Sequence, residues 1–103
     1  MEKLSGFQWD AGNREKCRKH GLASAEIEAM FHDPALAVFP DPSTAEPRLR
    51  AIGRNAAGCY IFVVYTQRRT AHGLFIRPLS ARYMHQKEVS HYEQATAARL
   101  QDR

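Results

Sequence analysis

Tyr60-Ile61-Phe62-Val63-Val64-Tyr65 is apolar at every position and made of β-branched and aromatic residues. A strand with two apolar faces must be covered on both, so this run is expected to be the central strand of a sheet. Its neighbours read as strands too. Arg48-Leu49-Arg50-Ala51-Ile52-Gly53-Arg54 alternates basic and apolar residues, which predicts one buried face and one basic row. Asn55-Ala56-Ala57-Gly58 supplies the hairpin turn between the two. Leu36 to Phe39 reads as a short strand, and Pro40 to Pro47 as a loop. Gln67 to Gly73 reads as a basic, polar loop, and Leu74 to Leu79 as the last strand, ending at Ser80. Pro78 marks an edge position or a bulge there.

The helices lie on either side of this β-rich block. Gly6 to Asp10 reads as a short strand, and Asp10 as the cap of a helix over about Ala11 to His20. Glu15 and Lys19 are an i,i+4 pair in it, and Gly21 suits a left-handed C-terminal stop. Ser24 is the expected cap of a second helix, with Ile27, Met30 and Phe31 as its buried stripe and Asp33-Pro34 as its end. A third helix is expected from about Tyr83 to Ala98. The class is therefore α+β. Two N-terminal helices and a C-terminal helix pack on one face of a twisted, mainly antiparallel sheet of four to five strands.

Size and charge narrow the function. The 103 residues form one domain, 1–103, with 44% apolar and 25% charged residues. No apolar run approaches the roughly 18 residues of a membrane span. Met1-Glu2-Lys3-Leu4-Ser5-Gly6 has no apolar core of a secretory signal, so a cytoplasmic location is expected. Cys17 and Cys59 are too few for a disulfide scaffold and fit as small buried residues. A net charge of +4 biases the chain toward anionic partners, either nucleic acid or an acidic protein.

One set of blocks carries a resemblance. Trp9-Asp10 precedes the first helix and Lys19-His20-Gly21 ends it. Glu46-x-Arg48 enters the sheet, Gly53-Arg54 precedes the hairpin, and Phe62-Val63-Val64-Tyr65-Thr66 belongs to the central strand. Ile76-Arg77-Pro78-Leu79-Ser80-Ala81-Arg82 follows, with Glu88 and Tyr92-Glu93 beyond it. In this order and spacing the chain resembles the BrnT family of toxins from bacterial type II toxin–antitoxin systems. The resemblance spans about residues 7–93, leaving 94–103 as helix end and tail. It implies a RelE-like fold, a ribonuclease activity that arrests translation, and neutralisation by a BrnA-type antitoxin. That antitoxin would carry the DNA-binding domain, so DNA is reached only indirectly.

The residue chemistry is compatible with that implication. A metal-free ribonuclease drives the substrate 2′-hydroxyl onto the adjacent phosphate. It needs a base, an acid and cations for the charge that develops. Arg77, Arg82 and Arg54 are the candidates for phosphate contact, because a guanidinium fork matches phosphate oxygens. His85, Glu88 and Tyr92 share a face of the third helix, with His85 as acid or base and Glu88 orienting it. Tyr92 and Val89 can equally pack that helix on the sheet. His20 is a further acid–base candidate, or a hydrogen-bonded histidine at a buried helix end. Lys19, Arg48, Arg50 and an exposed Tyr83 for base stacking complete the candidate RNA surface. Asp10 and Glu46 read as a cap and an ion-pair partner. The histidines have no ligand spacing with one another or with the cysteines, and no Gly-rich phosphate loop exists, so neither metal nor cofactor is expected. The competing reading is a non-catalytic basic module that docks an acidic or antitoxin-like partner.

Overall fold

The computed structural model describes residues 4–42 and 47–101, with side chains through Ala97. Glu46 lies outside the described residues. Five strands form one sheet: β1 (Leu4–Phe7), β2 (Ala37–Asp41), β3 (Arg48–Arg54), β4 (Tyr60–Thr70) and β5 (Gly73–Tyr83). Their order is β1-β5-β4-β3-β2, with β1 parallel to β5 and the other pairs antiparallel. The helices are α1 (Ala11–Arg18), α2 (Ser24–Met30) and α3 (Gln86–Gln101). The expected α+β class and the central place of the Tyr60–Tyr65 run both hold.

The core lies on one face of the sheet. Cys17 and Leu22 from around α1, with Ile27 and Met30 from α2, bury against Ala51, Ile61, Val63, Tyr65, Ile76 and Ala81. Phe31 stacks edge-on between Phe7 and Tyr65 at 5.7 and 5.0 Å. A β-carbon on Gly53 would meet Met30 and Leu36 at 3.3 Å, so α2 lies close over β3.

α1 is fixed at its start. The Asp10 carboxylate accepts from the Asn13 N–H at 2.9 Å, and the Asn13 side chain accepts from the Asp10 N–H at 2.7 Å. This reciprocal cap satisfies two orphan donors at once. The buried Asn13 amide also donates to Gln8 O and Pro78 O, which ties the helix to β5. α1 stops at Arg18, short of the expected His20, and Gly21 takes φ +82°. The expected Glu15–Lys19 pair gives way to Glu15–Arg18 at 3.0 Å. Ala23, not Ser24, holds the cap position of α2, and its N–H donates to Glu26. Cys17 is buried as expected, whereas Cys59 sits exposed beside the hairpin turn.

Three boundaries differ from the sequence reading in ways that matter. Gln67 to Thr70 continue β4 instead of looping, because their backbones pair with Gly73 to Ile76 while their polar side chains stay in solvent. The reversal is a tight turn at Ala71-His72, closed by Gly73 at φ +122°, where a β-carbon would fall 2.0 Å from Ser5 Oγ. β5 runs past Ser80 to Tyr83, since Ala81, Arg82 and Tyr83 keep the in–out alternation opposite Val63, Phe62 and Ile61. α3 accordingly begins at Gln86 rather than near Tyr83.

The register of β5 shifts in its middle. Ser80 pairs with Val64 and Pro78 with Tyr65, so Leu79 is the extra residue of a bulge. Pro78 has no N–H to give and is fully buried there.

The helices do not share one face. α3 crosses the side opposite α1 and α2, forming a cavity with Phe39, Ile52 and Phe62 through Met84, His91 and Tyr92. The central strand is apolar on both sides for this reason.

Candidate functional site

The face that α1 and α2 leave open carries Arg48, Arg50 and Arg54 on β3 and Arg77 and Arg82 on β5. Register places them. Arg50 lies opposite Val64, Ile52 opposite Phe62 and Arg54 opposite Tyr60. On the other flank of β4, Arg82 lies opposite Phe62 and Arg77 opposite Thr66. Arg77 and Arg82 are an odd number of residues apart, which in a regular strand would put them on opposite faces. The bulge at Leu79 restores them to one.

Arg82 is the most constrained of these side chains. Its Nη1 donates to Glu88 Oε1 at 2.7 Å and its Nη2 to Oε2 at 2.9 Å, a two-pronged grip. The guanidinium also stacks over the Phe62 ring at 4.9 Å. Glu88 belongs to the first turn of α3, and its Oε1 accepts the His85 backbone N–H at 2.9 Å. One carboxylate thus caps a helix and fixes an arginine. Arg82, followed by the His85 N–H, holds the Glu88 carboxyl down at about 2. Glu88 in turn raises Arg82. Glu88 meets His85 through the His85 backbone N–H, and among the described residues it makes no hydrogen bond to the exposed imidazole, whose charge still helps to lower the Glu88 carboxyl.

Arg77 is held by the other end of the same face. Its Nη2 pairs with Asp10 Oδ2, the carboxylate that caps α1. The Asn13 N–H first, and then Arg77, lowers the Asp10 carboxyl below its ordinary range. Arg50 pairs with Asp41 at 3.0 Å. The Arg77 and Arg82 side chains keep 28% and 36% of their surface, enough to meet a ligand without moving. Between them the floor is Val64, Ser80 and Thr66, all half-buried. Thr66 Oγ1 is buried with no hydrogen-bond partner among the described residues.

His20 reaches this face from the edge. β1 pairs only along Leu74 to Ile76, so the later part of β5 has no strand beyond it. There His20 joins Phe62, Ser80, Ala81 and Arg82 around a small cavity of about 80 Å³. His20 is exposed, so it is not the buried helix-end histidine of the structural alternative. Lys19 beside it is exposed as well.

The remaining candidates separate. Tyr83 pairs with Ile61 and so faces the helix side, where its hydroxyl donates to Glu26 Oε2 at 3.2 Å. Burial, followed by Glu26, pushes that phenol up. Tyr83 is therefore not brought to the arginines. Arg54 and Tyr92 meet at the far end of the second face, under α3. Tyr92 packs edge-on to Tyr60 at 5.6 Å, and Arg54 stands over the Tyr60 ring at 5.7 Å. Arg48 is half-buried in the row opposite Asp41.

The structure therefore joins Arg77, Arg82, His20 and the start of α3 on one open surface, with Arg54 and Tyr92 adjoining it. Sequence reasoning missed Asp10 as a partner of Arg77 and Phe62 as the platform for Arg82. The second was recoverable in principle, because Phe62 is the outward ring of a strand already identified as central. Among the described residues, no three or more His, Cys, Asp or Glu side chains gather as metal ligands.

The model of a family described as "Ribonuclease toxin, BrnT, of type II toxin-antitoxin system" matches residues 9–88. That span runs from Trp9, beside the α1 cap, to Glu88, the partner of Arg82. No curated protein matches the chain.

Proposed function

Because the chain belongs to the BrnT family of ribonuclease toxins of type II toxin–antitoxin systems, we propose that its arginine face cleaves RNA without a metal. The observation that carries this is the pair Arg77 and Arg82, turned to one open surface by the Leu79 bulge beside His20. The reaction joins the 2′-oxygen to phosphorus and breaks the bond from phosphorus to the 5′-oxygen. A base takes the 2′-hydroxyl proton, and an acid protonates the departing 5′-oxygen. The products are a 2′,3′-cyclic phosphate and a 5′-hydroxyl.

Arg82 and Arg77 are the groups for the charge on the phosphorane oxygens, where preformed donors lower the barrier most. Their carboxylate partners hold both forks in place before substrate arrives, which limits the reorganisation that catalysis needs. His20, at the same cavity as Arg82, serves as the base. His85 precedes α3 next to Glu88 and serves as the acid. Lys19, Arg48 and Arg50 extend the cationic track for the RNA backbone. In this reading the fold is RelE-like, and cleavage of messenger RNA in the cytoplasm stops translation. A BrnA-type antitoxin neutralises the toxin by covering this face.

The test is cleavage of a defined RNA by purified protein in excess EDTA. Expected are products ending in a 2′,3′-cyclic phosphate, with loss of cleavage in Arg77→Ala and Arg82→Ala. Intact RNA at protein levels that stop growth would refute the enzymatic reading and favour a docking module.

A further inference from the structure

Beyond the arginine pair lies a cleft that cleavage itself does not require. It sits between α3 and the ends of β3 and β4 and encloses about 350 Å³, within the range of small-ligand sites. Its lining includes Ile52, Tyr60 and Tyr92 and the charged side chains of Asp33, Arg54 and Glu93. The two tyrosine rings meet at an interplanar angle of 70°. That arrangement offers a ring face and a ring edge at roughly right angles, two walls for a flat heterocycle.

The charged groups here differ from those around Arg77 and Arg82. Arg54 makes no ion pair among the described residues and is held only over the Tyr60 ring. Arg77, Arg82 and Arg50 are each held by a carboxylate. Glu93 accepts a single long hydrogen bond from the Tyr60 hydroxyl at 3.4 Å on Oε2. Its Oε1 has no partner among the described residues. Asp33, the other carboxylate of the lining, accepts the Ala35 N–H at 2.9 Å, so the cleft presents a cation without an ion pair, the largely uncommitted Glu93 carboxylate and two aromatic rings. Those are the parts that bind an unstacked nucleotide: phosphate, base edge and base face.

Its position fits the same strand of RNA. Arg54 lies two strands from Arg82 and one alternation further along the sheet, roughly 12 Å at strand spacings of about 4.8 Å and a rise of about 3.4 Å per residue. A base in the cleft therefore belongs to a nucleotide flanking the scissile bond.

We propose that the Tyr60–Tyr92 cleft is a base-specificity subsite for guanine in the nucleotide flanking the cleaved bond, an inference that rests on the ribonuclease reading. The rings stack the base, Arg54 takes the flanking phosphate, and the Glu93 carboxylate accepts the adjacent N1–H and N2–H donors. Guanine is singled out because two parallel donors match two carboxylate oxygens, whereas uracil and adenine offer one N–H group each on that edge.

The test separates binding from cleavage. The full chain is titrated with guanosine 3′-monophosphate and cytidine 3′-monophosphate while the ring resonances of Tyr60 and Tyr92 are followed by NMR. Expected is saturation with the guanine nucleotide at concentrations at least about tenfold lower. Glu93→Gln erases that preference, and Arg54→Ala weakens both nucleotides alike. Glu93 is exposed, so its substitution leaves the fold in place. Equal affinity for the two nucleotides, or unmoved tyrosine resonances, overturns the subsite. Cleavage of the same RNA by wild type and Glu93→Gln is scored in parallel. Cleavage with unchanged base preference in the variant sinks the subsite alone. Guanine binding without any RNA cleavage supports the subsite and sinks the ribonuclease reading.

Discussion

Arg82 shows how much one side chain can be asked to do. It is stacked on Phe62, gripped at both nitrogens by Glu88 and turned to solvent on its remaining edge. Lysine in its place keeps a charge but loses the fork. We expect Arg82→Lys to lower kcat/KM by about 10²-fold or more, the cost of removing one preorganised donor, as measured by initial rates on a short RNA. Glu88 makes a separate prediction through acid stability. Its folded carboxyl sits at about 2, below the ordinary 4.5. The stabilisation it gives is therefore complete above about pH 4.5 and lost as pH falls toward 2. Urea unfolding should show wild type ahead of Glu88→Gln at pH 7, with the gap narrowing below about pH 4.5 and closing only toward pH 2. A gap that stays constant would mean the ion pair contributes nothing. Asp10, also lowered, titrates in the same direction in both proteins and does not affect the comparison.

At the level of elements, α1 is joined to β5 through one amide. Asn13 Nδ2 reaches Gln8 O and Pro78 O, and its oxygen completes the cap with Asp10. Asn13→Ala leaves buried carbonyls without donors and removes half the cap. A loss of about 3 kcal/mol is expected, measured by chemical denaturation. The cap itself could be read from Asp10 before a helical stretch. The tie to Pro78 could not, because it depends on a contact distant in sequence. The same split holds elsewhere. Arg48 to Arg54 and Tyr60 to Tyr65 announced their strands by alternation and by apolar content. Gln67 to Thr70 did not, since an exposed strand held by backbone pairing carries no side-chain signal of burial. Ser80 misled for the opposite reason: a small polar residue after a proline looks like an ending, yet the ladder continues through it to Tyr83.

Across the whole molecule, one sheet separates two jobs. One face holds the core under α1 and α2. The other holds the arginines, with α3 lying over only part of it. The sequence disclosed that β3 would have a basic face but not that α3 would cross it, because a helix with few apolar residues gives little indication of what it covers. On the ribonuclease reading, the arginines of that face should make RNA affinity fall as salt rises. With a non-cleavable RNA, the slope of log affinity against log salt should fall in magnitude by about 0.7 for each of Arg77→Ala and Arg82→Ala. An unchanged slope in both variants would place the phosphate contacts elsewhere.

The bulge at Leu79 makes β5 behave like a code read in steps of two. The face on which Arg77 appears depends on whether the count to Arg82 is odd or even, with one residue set aside. Deleting Leu79 would set Ser80 directly after Pro78, opposite Val64 and Tyr65 respectively, and leave a regular ladder with Arg77 and Arg82 still on one face. A single residue added to a regular stretch on either side would instead exchange the addresses beyond it. Adding or removing a pair of residues would preserve the phase. Insertions and deletions in the regular stretches of this strand should therefore be tolerated by parity more than by length, with single-residue changes there losing fold and cleavage together and deletion of Leu79 keeping both.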